Sequence, residues 1–440
     1  MKAGFARVDV TPPLGSLVSG YFHARWAEGI LDPIELNAVA FSEGEDKAVL
    51  IAADFLLIME NAATEIRNLV AKRLEIPAEN VFLHCLHQHT SMRMGYRAHI
   101  STKDGMDDEY RSVLYRKFCD VAQMAMADLA ETTVWYAQEQ ASEPLSFVRR
   151  YRMKDGTVRT NPGRGNPNVA EPIGEADNTV RLVRLKRKEK GDIAIVNFST
   201  HPDVIGGTKI SADYPGFFRN KLEANCPGVK SIFINGAEGQ LVGGDRRYPK
   251  TFVSGQTTVA KQIGESLADF VLAAYEDAQP IDGDAVRFGQ NTYVATTKFD
   301  PARIDEVNRI LKLHEEGRDN EILPAHMSSE LVAEAIKLKR LEAQKLTHVS
   351  MVASAITVGN IGFVGFPGEP FCEIGVMVRE KSPYSMTFIC CQTNGHNSYF
   401  PTAESYDQDG YEPRNNQFVK GTGEGFAEKC LELLQRLHEK

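Results

Sequence analysis

The chain reads as a layered α/β fold, with a mixed β-sheet core flanked by helices. Three observations predict it. Strand-like and helix-like patterns alternate along most of the length. With 42% hydrophobic and 25% charged residues, the composition is that of a globular chain rather than a disordered one. Several polar motifs follow directly on apolar runs, which is where open α/β sheets place their sites.

The elements follow in order. A fold-like pattern begins near Ala3. Leu36–Phe41 and Lys47–Ala53 alternate as strands, and Glu43-Gly44-Glu45-Asp46 supplies the turn between them. Residues 60–74 have helical periodicity and stop before Ile76-Pro77. Val81–Leu86 is a short apolar run, Asp107–Leu129 a long amphipathic helix and Thr133–Ala137 a strand. Residues 152–178 are dominated by Gly, Pro, Asn and Arg and predict a long loop; with Arg149, Arg150, Arg152, Arg159 and Arg164 in or just before it, it is expected to face a substrate. Strands are predicted at Val180–Leu185, Ile193–Phe198 and Ser231–Ile234, with a helix starting near Tyr214-Pro215. Val253–Ala274, Asp305–Glu316 and Glu330–Gln344 read as helices. Val349–Val358, Ile361–Phe366 and Met386–Cys391 read as strands, and Gly425–His438 as a final amphipathic helix.

Charge and cysteine usage narrow the function classes. The formal net charge over 440 residues is −9, which gives no electrostatic footprint for nucleic acid or an anionic membrane. No run of about 18 apolar residues is present, and Met-Lys-Ala-Gly-Phe-Ala-Arg-Val-Asp-Val lacks the apolar core of a secretion signal. The seven cysteines are scattered and odd in number, so buried reduced thiols are expected, in a cytoplasmic protein without membrane insertion. The oligomeric state, homo-oligomer included, stays open.

Four motifs carry candidate chemistry. His87-Gln88-His89-Thr90-Ser91 follows the run at 81–86; strand alternation would put Val81, Leu83 and Cys85 on one face with His87 and His89, either as a metal half-site or as a hydrogen-bonded pair. His84 would point the other way, as a structural residue. Thr200-His201-Pro202 follows the second strand pair, and Pro367-Gly368-Glu369-Pro370 follows Ile361–Phe366. Glu369 there can be a ligand, a base or a cap for the helix that follows. The fourth motif is Asn394-Gly395-His396-Asn397-Ser398-Tyr399, with Glu404, Tyr406 and Tyr411 beyond; side-chain chemistry alone nominates His396 before Tyr399 as a metal ligand. The Gly-rich Ile234-Asn235-Gly236-Ala237-Glu238-Gly239-Gln240 has no phosphate-loop lysine but can wrap a substrate. Asn235, Gln240 and Asn394 are therefore assigned to substrate binding.

In this order the motifs resemble the neutral/alkaline (non-lysosomal) ceramidase family, in its amino-terminal catalytic domain, over nearly the whole chain. The matching pieces are Ala3-Gly4-Phe5-Ala6-Arg7-Val8-Asp9-Val10-Thr11-Pro12, Ala53-Asp54, His87-x-His89-x-Ser91, Thr200-His201-Pro202, Pro367-Gly368-Glu369, Asn394 to Tyr399, and Tyr411-Glu412. The resemblance implies a zinc hydrolase with His87, His201, Glu369 and Tyr399 as Zn2+ ligands. It also implies His89 beside the metal, Tyr411 stabilising an oxyanion, and Arg149 or Arg150 binding substrate. Zinc in such a site lowers the pKa of a bound water to about 7 and polarises a carbonyl. Glu238-Gly239-Gln240-Leu241 stands where the family has an Asp-Val-Ser-Pro-Asn-like stretch. The expectation is one catalytic domain over 1–440, without a C-terminal immunoglobulin-like domain. Its expected reaction is hydrolysis of an amide in a small polar, N-acylated or sugar-derived substrate rather than ceramide. Two alternatives stay open: a metal-dependent glycan-active hydrolase or lyase using Tyr and His as acid and base, and a non-catalytic ligand-binding homologue.

Overall fold

The computed structural model describes residues 1–21, 23–95, 106–245, 247, 257–324 and 327–440. The first half contributes β1 (Lys2–Asp9), β2 (Glu35–Glu43), β3 (Asp46–Ala53), α1 (Glu60–Leu74), β4 (Val81–Cys85), α2 (Asp108–Ala127) and β5 (Ala130–Gln140). Next come β6 (Arg150–Met153), β7 (Val158–Thr160), β8 (Val169–Pro172), β9 (Thr179–Arg187), β10 (Ile193–Phe198), α3 (Asp213–Asn225) and β11 (Lys230–Asn235). The rest supplies α4 (Thr257–Tyr275), β12 (Val286–Thr296), α5 (Ile304–Glu315), α6 (Ser328–Gln344), β13 (His348–Val358), β14 (Ile361–Gly365), α7 (Cys372–Lys381), β15 (Met386–Cys390) and α8 (Thr422–His438).

Two sheets form. The larger runs β11-β10-β9-β5-β1-β2-β3-β4, with the short strand Gln279–Pro280 on β5 as its ninth member. Its β10–β11 and β3–β4 pairs are parallel, and the other pairs are antiparallel. The smaller runs β12-β13-β14-β15, and its β14–β15 pair is parallel.

Period-two alternation stacks these sheets into layers. On β2, Val39 and Phe41 enter a core shared by the two sheets, whereas Leu36, Ala38 and Ala40 enter the core under α1 and α2. On β3 the same division separates Leu50 and Ala52 from Val49, Ile51 and Ala53. Ile193, Ile195, Ile232 and Ile234 join the shared core, while Val196 and Phe233 pack with Phe218 of α3 and Leu267 of α4. From the smaller sheet, Phe363 and Phe388 face the shared core, and Val364 and Ile389 face Val378 of α7 and Leu434 of α8. The order is therefore helices, sheet, sheet, helices. At about 1.5–3 kcal/mol per fully buried large apolar side chain, this double-faced sorting is the main stabilising term.

The alternating pattern survives translation into structure, with two differences. β12 was not expected, because Arg287, Gln290, Asn291 and Thr292 dilute its apolar signal; it is an edge strand whose inner face is covered by α8. The segment 152–178 carries β7 and β8, which flank β6 in a three-stranded sheet; Asp155-Gly156, with Gly156 at φ 83°, makes the turn that starts it. Residues 253–256 of the helix expected at Val253–Ala274 lie outside the described residues. All seven cysteines are free thiols. Among the described residues no helix is long and apolar enough to cross a membrane.

Candidate metal centre

The candidate motifs follow directly on strands of the three parallel pairs, β3–β4, β10–β11 and β14–β15. The alternation predicted across 81–89 stops at Cys85. Leu86 and His87 donate their backbone N–H groups to Ala53 and Phe55, and His87 takes the left-handed φ of 73°. His87 thus reaches the site through a turn rather than along a strand face. Gln392, Asn394 and Ser398 also hold positive φ (44°, 57° and 74°). Non-glycine residues in that region cost about 1–3 kcal/mol each, and such strain collects at functional sites.

Glu369 is placed by a two-residue parallel ladder in which it pairs with Tyr399 and Pro370 with Phe400. The approach needs glycine at 368: φ is 154°, and a Cβ there would lie 2.1 Å from the Ser398 carbonyl oxygen. His201 is fixed by its ring, whose Nδ1 lies 3.0 Å from both the Glu238 and Leu241 carbonyl oxygens. His87 Nδ1 lies 2.8 Å from the Leu56 carbonyl. Carbonyls accept only, so both rings carry a proton on Nδ1, and each turns inward the Nε2 that a metal would take. Both Nε2 atoms converge on Glu369 Oε2, at 3.5 Å from His87 and 3.3 Å from His201.

Among the described residues, ligand atoms of His87, His201, Glu238 and Glu369 lie within 4.8 Å of one another, as do those of His87, His89 and His201. This group could hold a metal ion. The chemistry fits: two imidazole nitrogens and two carboxylates suit a divalent cation of the zinc type, and one such charge neutralises both acids. Glu238 belongs to the cluster, although sequence reasoning assigned it no ligand role. Both its carboxylate oxygens are buried without a hydrogen-bond partner.

The electrostatics agree. Burial would lower His87, but the Glu369 carboxylate overrides it and raises the ring to about 9. Burial, then the Arg149 guanidinium, lowers His201 to about 4. Burial and the charge of Glu369 push Glu238 upward, whereas Glu369 itself is held well below the carboxylate range, with His87 overcoming burial. A field that holds extra protons on His87 and Glu238 also favours a metal cation in their place. Metal loading at pH 7 will therefore release protons, and affinity will strengthen as pH rises toward 9. Calorimetric titration in buffers of differing ionisation enthalpy reads the release directly; a buffer-independent enthalpy would contradict it.

The other predicted site residues separate into two groups. His89, Tyr399, Tyr411, His87 and Glu369 line a cavity of about 340 Å³ over the cluster. The rings of His87 and His89 meet edge-on at 5.0 Å. The two ring nitrogens of His89 make no hydrogen bond, Nδ1 lying 3.7 Å from Asp203, and burial and His87 hold the ring well below the ordinary histidine range. Burial, then Glu369, push the Tyr399 phenol well above its ordinary value, and Arg149, which donates to its oxygen at 3.1 Å, is the opposing cation. The remaining assignments do not reach the cavity lining. Arg149 is buried beside the cluster, with Nη1 3.4 Å from His201 Nε2, and it donates to Glu412 at 2.8 Å and to the Gly239 carbonyl at 2.7 Å. Arg150 donates to the Asp409 carbonyl at 2.9 Å. Asn235 donates to the Leu86 carbonyl, Gln240 bonds Glu373 and the Cys372 N–H, and Asn394 bonds Ser354 and the Leu83 N–H. These are scaffold bonds, and no described residue of 152–178 lines the cavity either. His84 is structural: Nδ1 meets the Cys391 carbonyl at 2.7 Å and Nε2 accepts the Asn235 N–H at 3.1 Å. His396, the other ligand candidate, lines the cavity and bonds Gln392 Oε1 at 2.8 Å.

Fold and site together define a class: a mixed α/β protein with two face-to-face sheets, whose strand ends gather a buried His/Glu group able to hold a metal. No family model and no curated protein sequence matches the chain. Among solved structures it is similar to neutral ceramidase from Pseudomonas aeruginosa, with a TM-score of 0.71 and 15% identity over 99% of this chain and 75% of that one. It is also similar to a ceramidase complexed with C2, with a TM-score of 0.75 and 16% identity over 100% of this chain and 75% of that one. The chain has the neutral-ceramidase fold, as the motif order implied.

Proposed function

We propose that the protein is a metal-dependent hydrolase, with zinc as its metal, that cleaves an amide bond in a small, soluble, polar substrate. The observation that carries this reading is the convergence of two imidazole Nε2 atoms on Glu369 beneath a cavity walled by His89 and Tyr411. A divalent cation there supplies a Lewis acid for a carbonyl and lowers the pKa of water. The residues do the rest. The Leu56, Glu238 and Leu241 carbonyls hold the two ring tautomers. Arg149 supports Tyr399 as a ligand by offsetting phenolate charge. His89, kept neutral, takes a proton from the attacking water at Nε2 and returns it to the departing nitrogen, its Nδ1 facing Asp203. Tyr411, whose oxygen accepts from Asn415 Nδ2 at 2.7 Å, donates to the developing oxyanion.

Both similar structures are ceramidases, which supports amide hydrolysis. The cavity of about 340 Å³ lies at the lower end of the roughly 300–1,000 Å³ of small-molecule pockets. That suits a compact polar molecule better than a two-chain lipid.

The test is metal analysis of the purified protein followed by a substrate screen. About one zinc per chain and chelator-sensitive hydrolysis of N-acyl amides are expected. Absence of a transition metal, with activity indifferent to chelators, would refute the reading. Ultraviolet absorbance gained on uronate-containing oligosaccharides would replace it with a lyase. Tyr411→Phe should lower kcat about 100–1,000-fold with metal content unchanged; equal loss of metal would make Tyr411 structural instead.

A further inference from the structure

We infer that the cavity selects an anionic substrate, an amide bearing a carboxylate close to the scissile bond, and that Lys337 of α6 is its anchor. This rests on the hydrolase reading and adds the substrate class. Helices α5 and α6 form a hairpin between β12 and β13, with a small core of its own around Leu313, Val332 and Leu338. That hairpin lies against the site, and Ala333, Ile336 and Lys337 form part of the cavity wall.

Lysine on a helix ordinarily keeps its ammonium in water. Lys337 is 5% exposed, and its Nζ donates to Ser398 Oγ at 3.2 Å. Ser398 precedes Tyr399, and its carbonyl accepts the Glu369 N–H. The ammonium is thus held one residue from the proposed metal ligands. Arg93 lines the same cavity. Both cations have partners in the protein, so the point is where they are held. Among the described lining residues Glu369 is the one carboxylate, and the metal would neutralise it. What remains toward the substrate is net positive.

A cationic wall in a small, partly enclosed cavity attracts an anion and discriminates against its neutral isostere. The closeness of Ser398 to Tyr399 and Glu369 sets the geometry. If His87, His201 and Glu369 held a metal that polarised an amide carbonyl, a carboxylate a few bonds away would come within reach of Lys337, as in an N-acyl amino acid or an N-acylated sugar acid. A distant acid on a long chain would not.

The experiment is calorimetric titration of the metal-loaded full chain with N-acetyl-L-alanine and, separately, with its neutral carboxamide. The acid should bind at least about tenfold tighter, the scale of one charge-assisted hydrogen bond. Lys337→Gln should bring the ratio near one, Lys337→Arg should keep most of it, and Arg93→Gln should reduce it. Melting curves report whether each variant folds; if Lys337→Gln does not, Arg93→Gln carries the decision. Equal binding of acid and amide overturns the inference. So does a ratio that survives in folded Lys337→Gln, which would place the acid on the metal, and so does no binding up to about 10 mM. If the ratio behaves as expected but no amide is hydrolysed, anion recognition stands and the amidase reading falls.

Discussion

Replacing His201 with alanine will empty the metal site and abolish turnover. The ring supplies one of the two Nε2 atoms facing Glu369, and the Glu238 and Leu241 carbonyls hold its Nδ1 while Arg149 Nη1 lies 3.4 Å from its Nε2. A Lewis acid contributes several kcal/mol to carbonyl attack. At about 1.4 kcal/mol per decade, losing it lowers kcat/KM about 1,000-fold or more. The fold should survive: the four strand-packed cores do not include His201, and removing the ring relieves a crowded polar cluster. Metal analysis, activity and circular dichroism are read together. Full metal content in the variant would remove His201 from the ligand set. Lost metal with a large fall in melting temperature would make the site structural.

Much of the fold was legible because burial is written into period-two alternation. Short apolar runs bounded by turn residues marked β2, β3, β10 and β11, and in the structure Val39 and Phe41 face one core while Ala38 and Ala40 face the other. The same reasoning could not separate one sheet from two. An apolar face reads alike whether a helix or a second sheet covers it, and the partner of Phe363 is settled only by packing. β12 was invisible for the opposite reason, since an edge strand covered on one side can be polar on the other.

The site divides similarly. His87, His201, Glu369 and Tyr399 each stand just after an apolar strand, and topology converts that local signal into proximity; Glu369 and Tyr399 prove to be paired across a two-residue ladder. Glu238 carried no such signal, because its role follows from burial among other ligands rather than from sequence neighbours. Asn235, Gln240 and Asn394 were drawn to the substrate by their polarity and instead satisfy buried backbone and side-chain groups, as a strand-end scaffold requires. Lys337 was hidden in a helix rich in Ala, Leu and Lys, where a lysine reads as solvated surface. Arg149 reads as a substrate residue until Glu412 appears beside it, more than 260 positions later in the chain.

Arg219→Leu should be the most destabilising single change outside the metal cluster. Arg219 Nη1 donates to Asp54 Oδ1 at 3.0 Å, its Nη2 to Asp54 Oδ2, and both residues are buried. Deleting the cation strands a buried carboxylate, which costs about 3–5 kcal/mol. For 440 residues that is a fall in Tm of about 3–5 °C. The pair also anchors the histidine loop: Gln88 donates to Asp54 Oδ1 at 3.0 Å, and Ser91 Oγ donates to the Asp54 carbonyl. Metal affinity should therefore weaken by about 10–100-fold, as when a supporting residue behind a ligand is lost. Adding Asp54→Asn to Arg219→Leu removes the stranded charge while keeping an acceptor for Gln88. Thermal melts of the double-variant cycle should recover at least half of the lost stability. Additive losses would mean that the two charges do not compensate each other. Recovered stability without recovered metal affinity would show that the ion pair acts on the loop through geometry, with the bidentate fork setting where Asp54, Gln88 and the two flanking histidines sit.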